Sequence, residues 1–225
     1  MKRFIIITLA MMLCLIGKAE SWTDSNGTTW NFSIGNIWKG NSYTYGATLS
    51  RNGENPCISG TIPTNLVIPS TVQVGETVYN VKSIGWRAFD GCASLTSVVI
   101  PDGVTTIEGY AFEDCSGLKT INIPDGTTTI YEGTFRYCSS LTSISLPASV
   151  TSIVSGAFYY CSSLSSVNIP QGVTAINSST FYNCDALTSI TLPSSVNSIG
   201  DYAFYDCDNL ASINIPDGVS NIGEY

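Results

Sequence analysis

Residues 111–126 read AFEDCSGLKTINIPDG, residues 134–149 read TFRYCSSLTSISLPAS, and residues 157–172 read AFYYCSSLSSVNIPQG. The stretches start 23 residues apart and keep Phe, Cys, Leu and Pro in place while the rest changes. A fixed period of this length marks a repeat architecture and constrains the fold before any strand or helix is assigned. The register extends outward without insertion or deletion. Phe recurs at Phe89, Phe112, Phe135, Phe158, Phe181 and Phe204, and Cys at Cys92, Cys115, Cys138, Cys161, Cys184 and Cys207. Leu follows from Leu95 to Leu210, Pro from Pro101 to Pro216, and Ile from Ile84 to Ile222.

Within one unit, Leu95, Val98 and Ile100 have the L-x-x-V-x-I spacing of a strand with inward apolar side chains. Pro101-Asp102-Gly103 ends it, because Pro cannot donate to a ladder and Asp-Gly favours a turn. Val104 and Ile107 begin a second, looser apolar stretch, and Ala111-Phe112 predicts a short helical turn. A single unit cannot bury these side chains. Stacked coils can, with each column of like residues lying over itself.

The unit IGxxAFxxCxxLxxIxIPxxVxxI resembles the bacterial surface-antigen group of leucine-rich repeats called BspA-like, over roughly Leu66 to Tyr225. The expected fold is a leucine-rich-repeat solenoid of stacked 23-residue β-rich coils with short helical or 3-10 turns, preceded by a small β-rich N-terminal cap. The resemblance implies an adhesin-type surface protein that binds host matrix proteins or other bacteria. It supplies no binding motif to carry over, since the matching positions are scaffold.

The ends differ from the array. Met1-Lys2-Arg3 is basic, Phe4 to Ile16 is apolar, and Gly17-Lys18-Ala19 places small residues at a cleavage site. Residues 1–19 are therefore expected to be a secretory signal peptide, too short in its apolar run to span a bilayer, which takes about 20 residues. Residues 20–65 read as the cap. SWTDSNGTTWNFSI, residues 21–34, suggests a type I′ hairpin around Asn26-Gly27, and Trp22, Trp30 and Trp38 cluster here. A carbohydrate site lined by these tryptophans is the alternative to a capping role. Residues 66–225 form the solenoid. Nine extra residues, 73–81, enter its first unit, and Gly75-Glu76 suggests a small hairpin there. The last repeat stops where the next Ala-Phe is due, as if the array were cut in mid-repeat.

From Glu20 onward the charge is 6 − 17 = −11, and no Lys, Arg or His follows Arg136. Nucleic acid and other polyanions need a basic footprint and are disfavoured as partners. The chain has no His, which excludes Ser-His and Cys-His catalysis within it. Glu113-Asp114 is an isolated carboxylate pair without an equivalent in other repeats, and a solenoid offers no cleft between opposed walls. No catalytic residue, metal site or cofactor is expected.

Regular cysteines in an exported chain invite a disulfide reading. Equal spacing opposes it, because parallel Cβ vectors in coils about 4.8 Å apart exceed the usual limit of about 4.5 Å. Small buried thiols packing on one another explain the column better. Cys57 stands outside it as the odd cysteine, buried or reactive. The outward strand columns are short and polar, such as Ser97, Thr120, Ser143, Ser166, Ser189 and Ser212, and read as a solvated ladder more readily than as a ligand face.

Variation gathers after each Phe, where Tyr137, Tyr159, Tyr160, Tyr182 and Tyr205 are expected to line one edge, with Tyr110 and Tyr202 nearby. Tyrosine suits interfaces because it offers large area at low entropic cost. The alternative is that these rings only shield the Phe-Cys core. The sequence thus points to a secreted or cell-surface protein that binds extracellular or cell-surface proteins. A glycan-binding module using the cap or the Tyr rim is the second reading.

Overall fold

The computed structural model describes residues 19–39, 42–50, 57–59 and 62–225. The signal-peptide reading therefore falls outside the described residues, except Ala19, which begins the first strand. Among the described residues there is no helix, and seventeen short strands carry the fold.

An antiparallel sheet comes first. Strand β1 (Ala19–Thr23) pairs with β2 (Thr29–Lys39), and β2 pairs with β3 (Ser42–Leu49). The β1–β2 hairpin is present, but its turn is not the two-residue type expected around Asn26-Gly27. Thr23 faces Thr29 across a five-residue loop, 24–28, in which Gly27 is left-handed at φ 82°. Asp24 organises that loop: its carboxylate accepts from the backbone N–H of Asn26 and Thr28 and from Trp30 Nε1, at 2.8–3.0 Å. The hairpin at Gly75-Glu76 has the expected two residues. Val74 of β6 (Thr71–Val74) faces Thr77 of β7 (Thr77–Ile84), and Gly75 supplies the positive φ that such a tight turn needs first.

Two parallel ladders then run along the array. One joins β5 (Asn65–Val67) to β8 (Ser97–Val99) and β10 (Thr120–Ile121), and continues through β12 (Ser143–Ile144) and β14 (Ser166–Val167). The other joins β7 to β9 (Thr106–Ile107) and recurs through β11 (Thr129–Ile130), β13 (Ser152–Ile153), β15 (Ala175–Ile176), β16 (Ser198–Ile199) and β17 (Asn221–Ile222). Because β3 pairs in parallel with β7, the N-terminal sheet is continuous with the second ladder. Leu95, Val98 and Ile100 all point inward and are buried, as their spacing requires.

The place of the expected helical turn is taken by chained tight turns. In one coil, Ala111, Glu113 and Cys115 N–H groups donate to the carbonyls of Glu108, Tyr110 and Phe112, three residues back. The intervening N–H groups of Tyr110, Phe112 and Asp114 donate instead to Glu132, Thr134 and Arg136 of the next coil, at 2.8–3.0 Å. A helix cannot persist here because the positions two before and two after each Phe are left-handed. The first column contains Arg87, Tyr110, Gly133, Gly156, Ser179 and Tyr202, and the second Gly91, Asp114, Tyr137, Tyr160, Asn183 and Asp206.

One apolar core runs from Trp30 and Phe32 through the whole array. The phenyl rings stack near-parallel at centroid distances of 5.1–5.9 Å from Phe89 to Phe204. All seven cysteines among the described residues are thiols and not disulfides. Their arrangement is more specific than thiols packing on thiols: Cys115, Cys138, Cys161, Cys184 and Cys207 each donate Sγ–H to the carbonyl of the Phe 26 residues earlier, at 3.1–3.3 Å. Cys57 is buried as well, and its N–H donates to Ala88 O at 2.7 Å. Burial pushes its thiol, and those of Cys115, Cys138, Cys161 and Cys184, well above the ordinary 9.0.

Candidate interaction surface

The turn edge brings the five expected tyrosines into one continuous patch. Tyr137 meets Tyr159 at 5.8 Å and Tyr160 at 5.4 Å, and Tyr159 meets Tyr160 at 4.9 Å. Along the array, Tyr159 stacks on Tyr182 at 4.7 Å and Tyr182 on Tyr205 at 4.9 Å. Tyr202 joins Tyr205 edge-on at 5.7 Å and stacks with Tyr225 at 5.0 Å. Tyr137 and Tyr202 are 36% and 39% exposed, while Tyr159, Tyr160, Tyr182 and Tyr205 are half-buried by one another. Burial, reinforced by the neighbouring phenols, raises the pKa of Tyr159 and Tyr182.

Tyr110, Tyr137, Tyr160, Tyr202 and Tyr225 adopt φ between 57° and 65°. A bulky residue in this region is an outlier, costing ~1 kcal/mol or more, and Gly or Asn would sit there with less strain. Gly133 shows what the alternative looks like, because the Tyr110 ring lies where its Cβ would stand. Beside it, Tyr110, Arg136 and Tyr159 wall a hollow of about 270 Å³ floored by Gly133, Gly156 and Ser179. Tyr110 Oη donates to Glu132 Oε1 across its edge at 2.6 Å, and this bond raises the Tyr110 pKa.

Sequence reasoning missed the charged end of this edge. The column one past each Phe runs Asp90, Glu113, Arg136, then Tyr159, Tyr182 and Tyr205. The change of sign between Glu113 and Arg136 was the available signal. Arg87 Nη1 reaches Asp90 Oδ2 at 2.7 Å and Glu113 Oε2 at 2.6 Å, and Arg136 Nε lies 3.7 Å from Glu113 Oε1. Glu113 is only 8% exposed, and that burial pushes its carboxyl upward despite both arginines. Each guanidinium also lies over two rings. Arg87 sits 4.9 Å from Trp86 and from Tyr110, and Arg136 sits 4.9 Å from Tyr137 and 4.8 Å from Tyr159.

The strand face is the rival surface, with a groove of about 720 Å³ lined by Ser145, Ser166, Asn168, Ser189 and Thr191 among others. Its amides are partly committed to the scaffold. Asn122 accepts from Ile100 N at 2.7 Å and donates to Ile100 O at 2.8 Å, and Asn168 makes the same pair with Leu146 at 2.8 and 2.9 Å. Each side chain thus stands in for a backbone partner between coils. Two of the three tryptophans of the N-terminal sheet are placed by the described side chains. Trp30 is 1% exposed and bonded to Asp24, Trp22 packs against the core, and the side chain of Trp38 lies outside the described residues. Trp86, in the first full repeat, is 58% exposed. Among the described residues no helix is long and apolar enough to cross a membrane, and no three His, Cys, Asp or Glu side chains gather to hold a metal ion.

The BspA-type leucine-rich-repeat region matches residues 70–188 and 151–225, in six copies. A leucine-rich cell surface protein from Faecalibacterium prausnitzii has a similar structure, with TM-score 0.68 and 33% identity over 92% of this chain and 51% of that one. A leucine-rich repeat protein from Bacteroides ovatus gives 0.58 and 30% over 84% and 54%, and one from T. pallidum gives 0.59 and 28% over 85% and 91%. The chain thus spans about half the length of the first two. A comparison with curated protein sequences gave no match. With six repeat copies matched over more than half its length, the chain belongs to the BspA-type leucine-rich-repeat family.

Proposed function

We propose that this is a secreted or cell-surface interaction protein of adhesin type, without catalytic activity, that binds proteins of a host or bacterial surface through its tyrosine rim. Residues 20–65 act as a cap on the first coil. Membership of a family of repeat scaffolds and the likeness to a protein described as a cell surface protein support the location. The observation that carries the choice of surface is the retention of tyrosine at left-handed positions. Tyr137, Tyr160 and Tyr202 hold strained backbone while presenting ring area at the edge. The left-handed φ recurs in every coil, and a bulky tyrosine at three of these positions, where Gly, Asn or Asp stand in other coils, supports a role for the ring beyond packing.

The test is binding of the purified protein to immobilised extracellular-matrix proteins and to a glycan array, beside a variant with Tyr137, Tyr159, Tyr160 and Tyr182 changed to Ser. Saturable protein binding that disappears in the variant supports the proposal. Glycan binding that survives in the variant overturns it and moves attention to the exposed Trp86.

A further inference from the structure

The rim has a direction along the array. At its N-terminal end the chain supplies its own cations, Arg87 and Arg136, each seated over two aromatic rings. Beyond Arg136 the rings continue, Tyr159 on Tyr182 on Tyr205, while the supply of cations ends. Residues 137–225 contain six carboxylates and no Lys, Arg or His. Asp206 directly follows Tyr205, and Asp201 and Glu224 flank Tyr202 and Tyr225 in sequence. The rings cover one another's faces, so this half offers a partner phenol oxygens and carboxylates without a resident counter-charge.

We infer that the Tyr159–Tyr205 half of the rim takes a basic segment of a partner protein, its arginine side chains donating to the phenol oxygens and carboxylates along the edge that the stacked rings leave open, as Arg136 Nη2 donates to Tyr137 Oη at 3.3 Å. This rests on the rim being the binding surface and adds the chemistry of what binds there. Arginine fits better than lysine because its fork of N–H donors reaches a phenol oxygen and a carboxylate together. A neutral or acidic segment would leave Asp201, Asp206 and Glu224 unmatched, and an anionic polymer would be repelled by them.

The experiment uses fluorescence anisotropy of a labelled twelve-residue peptide, Arg-Ser repeated six times, and its counterpart with citrulline for arginine, which keeps shape and loses charge. The purified protein is expected to bind the arginine peptide at least tenfold more tightly than the citrulline peptide, with affinity falling as salt rises. Tyr182→Phe, which keeps the stacked ring and removes the phenol oxygen, is expected to weaken binding two- to fivefold, in the range of one exposed hydrogen bond. Asp206→Asn is expected to weaken it about twofold, and far-UV circular dichroism checks that both variants are folded. Equal binding of the two peptides, or binding of neither, overturns the inference. If the four-tyrosine variant loses its protein partner while the arginine peptide neither binds nor competes, the rim remains the binding surface and the cationic reading falls. If the arginine peptide binds the four-tyrosine variant and the unchanged protein alike, the basic segment docks elsewhere and the inference falls.

Discussion

Tyr137 shows how one position can serve two ends: its backbone is strained at φ 60°, and its ring joins Tyr159, Tyr160 and Arg136. Replacing it separates the two. Tyr137→Gly and Tyr137→Ala both delete the ring, but only Gly relaxes the left-handed backbone, so the Gly variant is expected to be the more stable by about 1 kcal/mol. Denaturant midpoints measure this, and the order is the reverse of that in ordinary helix or strand interiors. Thr127 offers a second test. It stands in the column otherwise filled by Val104, Val150, Val173 and Val196, fully buried, with its hydroxyl unpartnered. Thr127→Val is expected to stabilise the fold by about 1 kcal/mol, because an unsatisfied buried hydroxyl costs about 1–3 kcal/mol. At this scale the sequence was only partly legible. Gly133 and Gly156 hinted at left-handed backbone, but Tyr, Arg and Ser in the same column concealed it, because their φ is imposed by hydrogen bonds to the next coil.

The repeating element is a coil whose two strand segments and chained turns bond mainly to its neighbours. Its strands were legible because inward Leu, Val and Ile recur with strand spacing and because Pro closes each segment. The Val104 N–H donates to Pro101 O, and the same bond recurs at Val150, Val173, Val196 and Val219. The form of the turn was not legible, because Ala-Phe has no strong turn signal of its own. The direction of the Phe carbonyl toward the next coil's thiol is likewise invisible in a list of side chains. The ring column makes the coils interdependent. Phe135 stacks on Phe112 at 5.9 Å and Phe158 at 5.6 Å, and it is fully buried. Phe135→Ala is expected to cost about 3–5 kcal/mol, and hydrogen exchange should show the lost protection centred on the coils either side of residue 135.

Across the whole molecule, the buried thiols link stability to alkali. In the folded chain Cys57, Cys115, Cys138, Cys161 and Cys184 are raised well above 9.0, and Cys207 is raised to about 11. Their contribution is complete below pH 9. It is lost as pH climbs above that, because the unfolded chain then releases protons that the folded chain retains. Each thiol contributes about 1.4 kcal/mol per pH unit to that slope. Unfolding free energies measured from pH 8 to 10.5 should therefore fall steeply above 9, and Cys138→Ala should make the slope shallower by one proton. The acidic balance was fully legible from composition, but the way charge and aromatic rings share one edge was not. It depends on residues 23 apart being brought within one coil spacing, which also sets the guanidinium of Arg136 on Tyr159.

The central claim is that the rim, and not the strand face, meets the partner. The most direct measurement is the affinity of one identified protein partner for two variants beside the unchanged protein. One carries Ser in place of Tyr137, Tyr159, Tyr160 and Tyr182, and the other carries Lys in place of Ser143, Ser166 and Ser189 on the strand face. The expected result is loss of binding in the first and little change in the second. Binding that survives in the tyrosine variant and disappears in the strand-face variant would contradict the claim and place the site in the groove lined by Ser166 and Asn168.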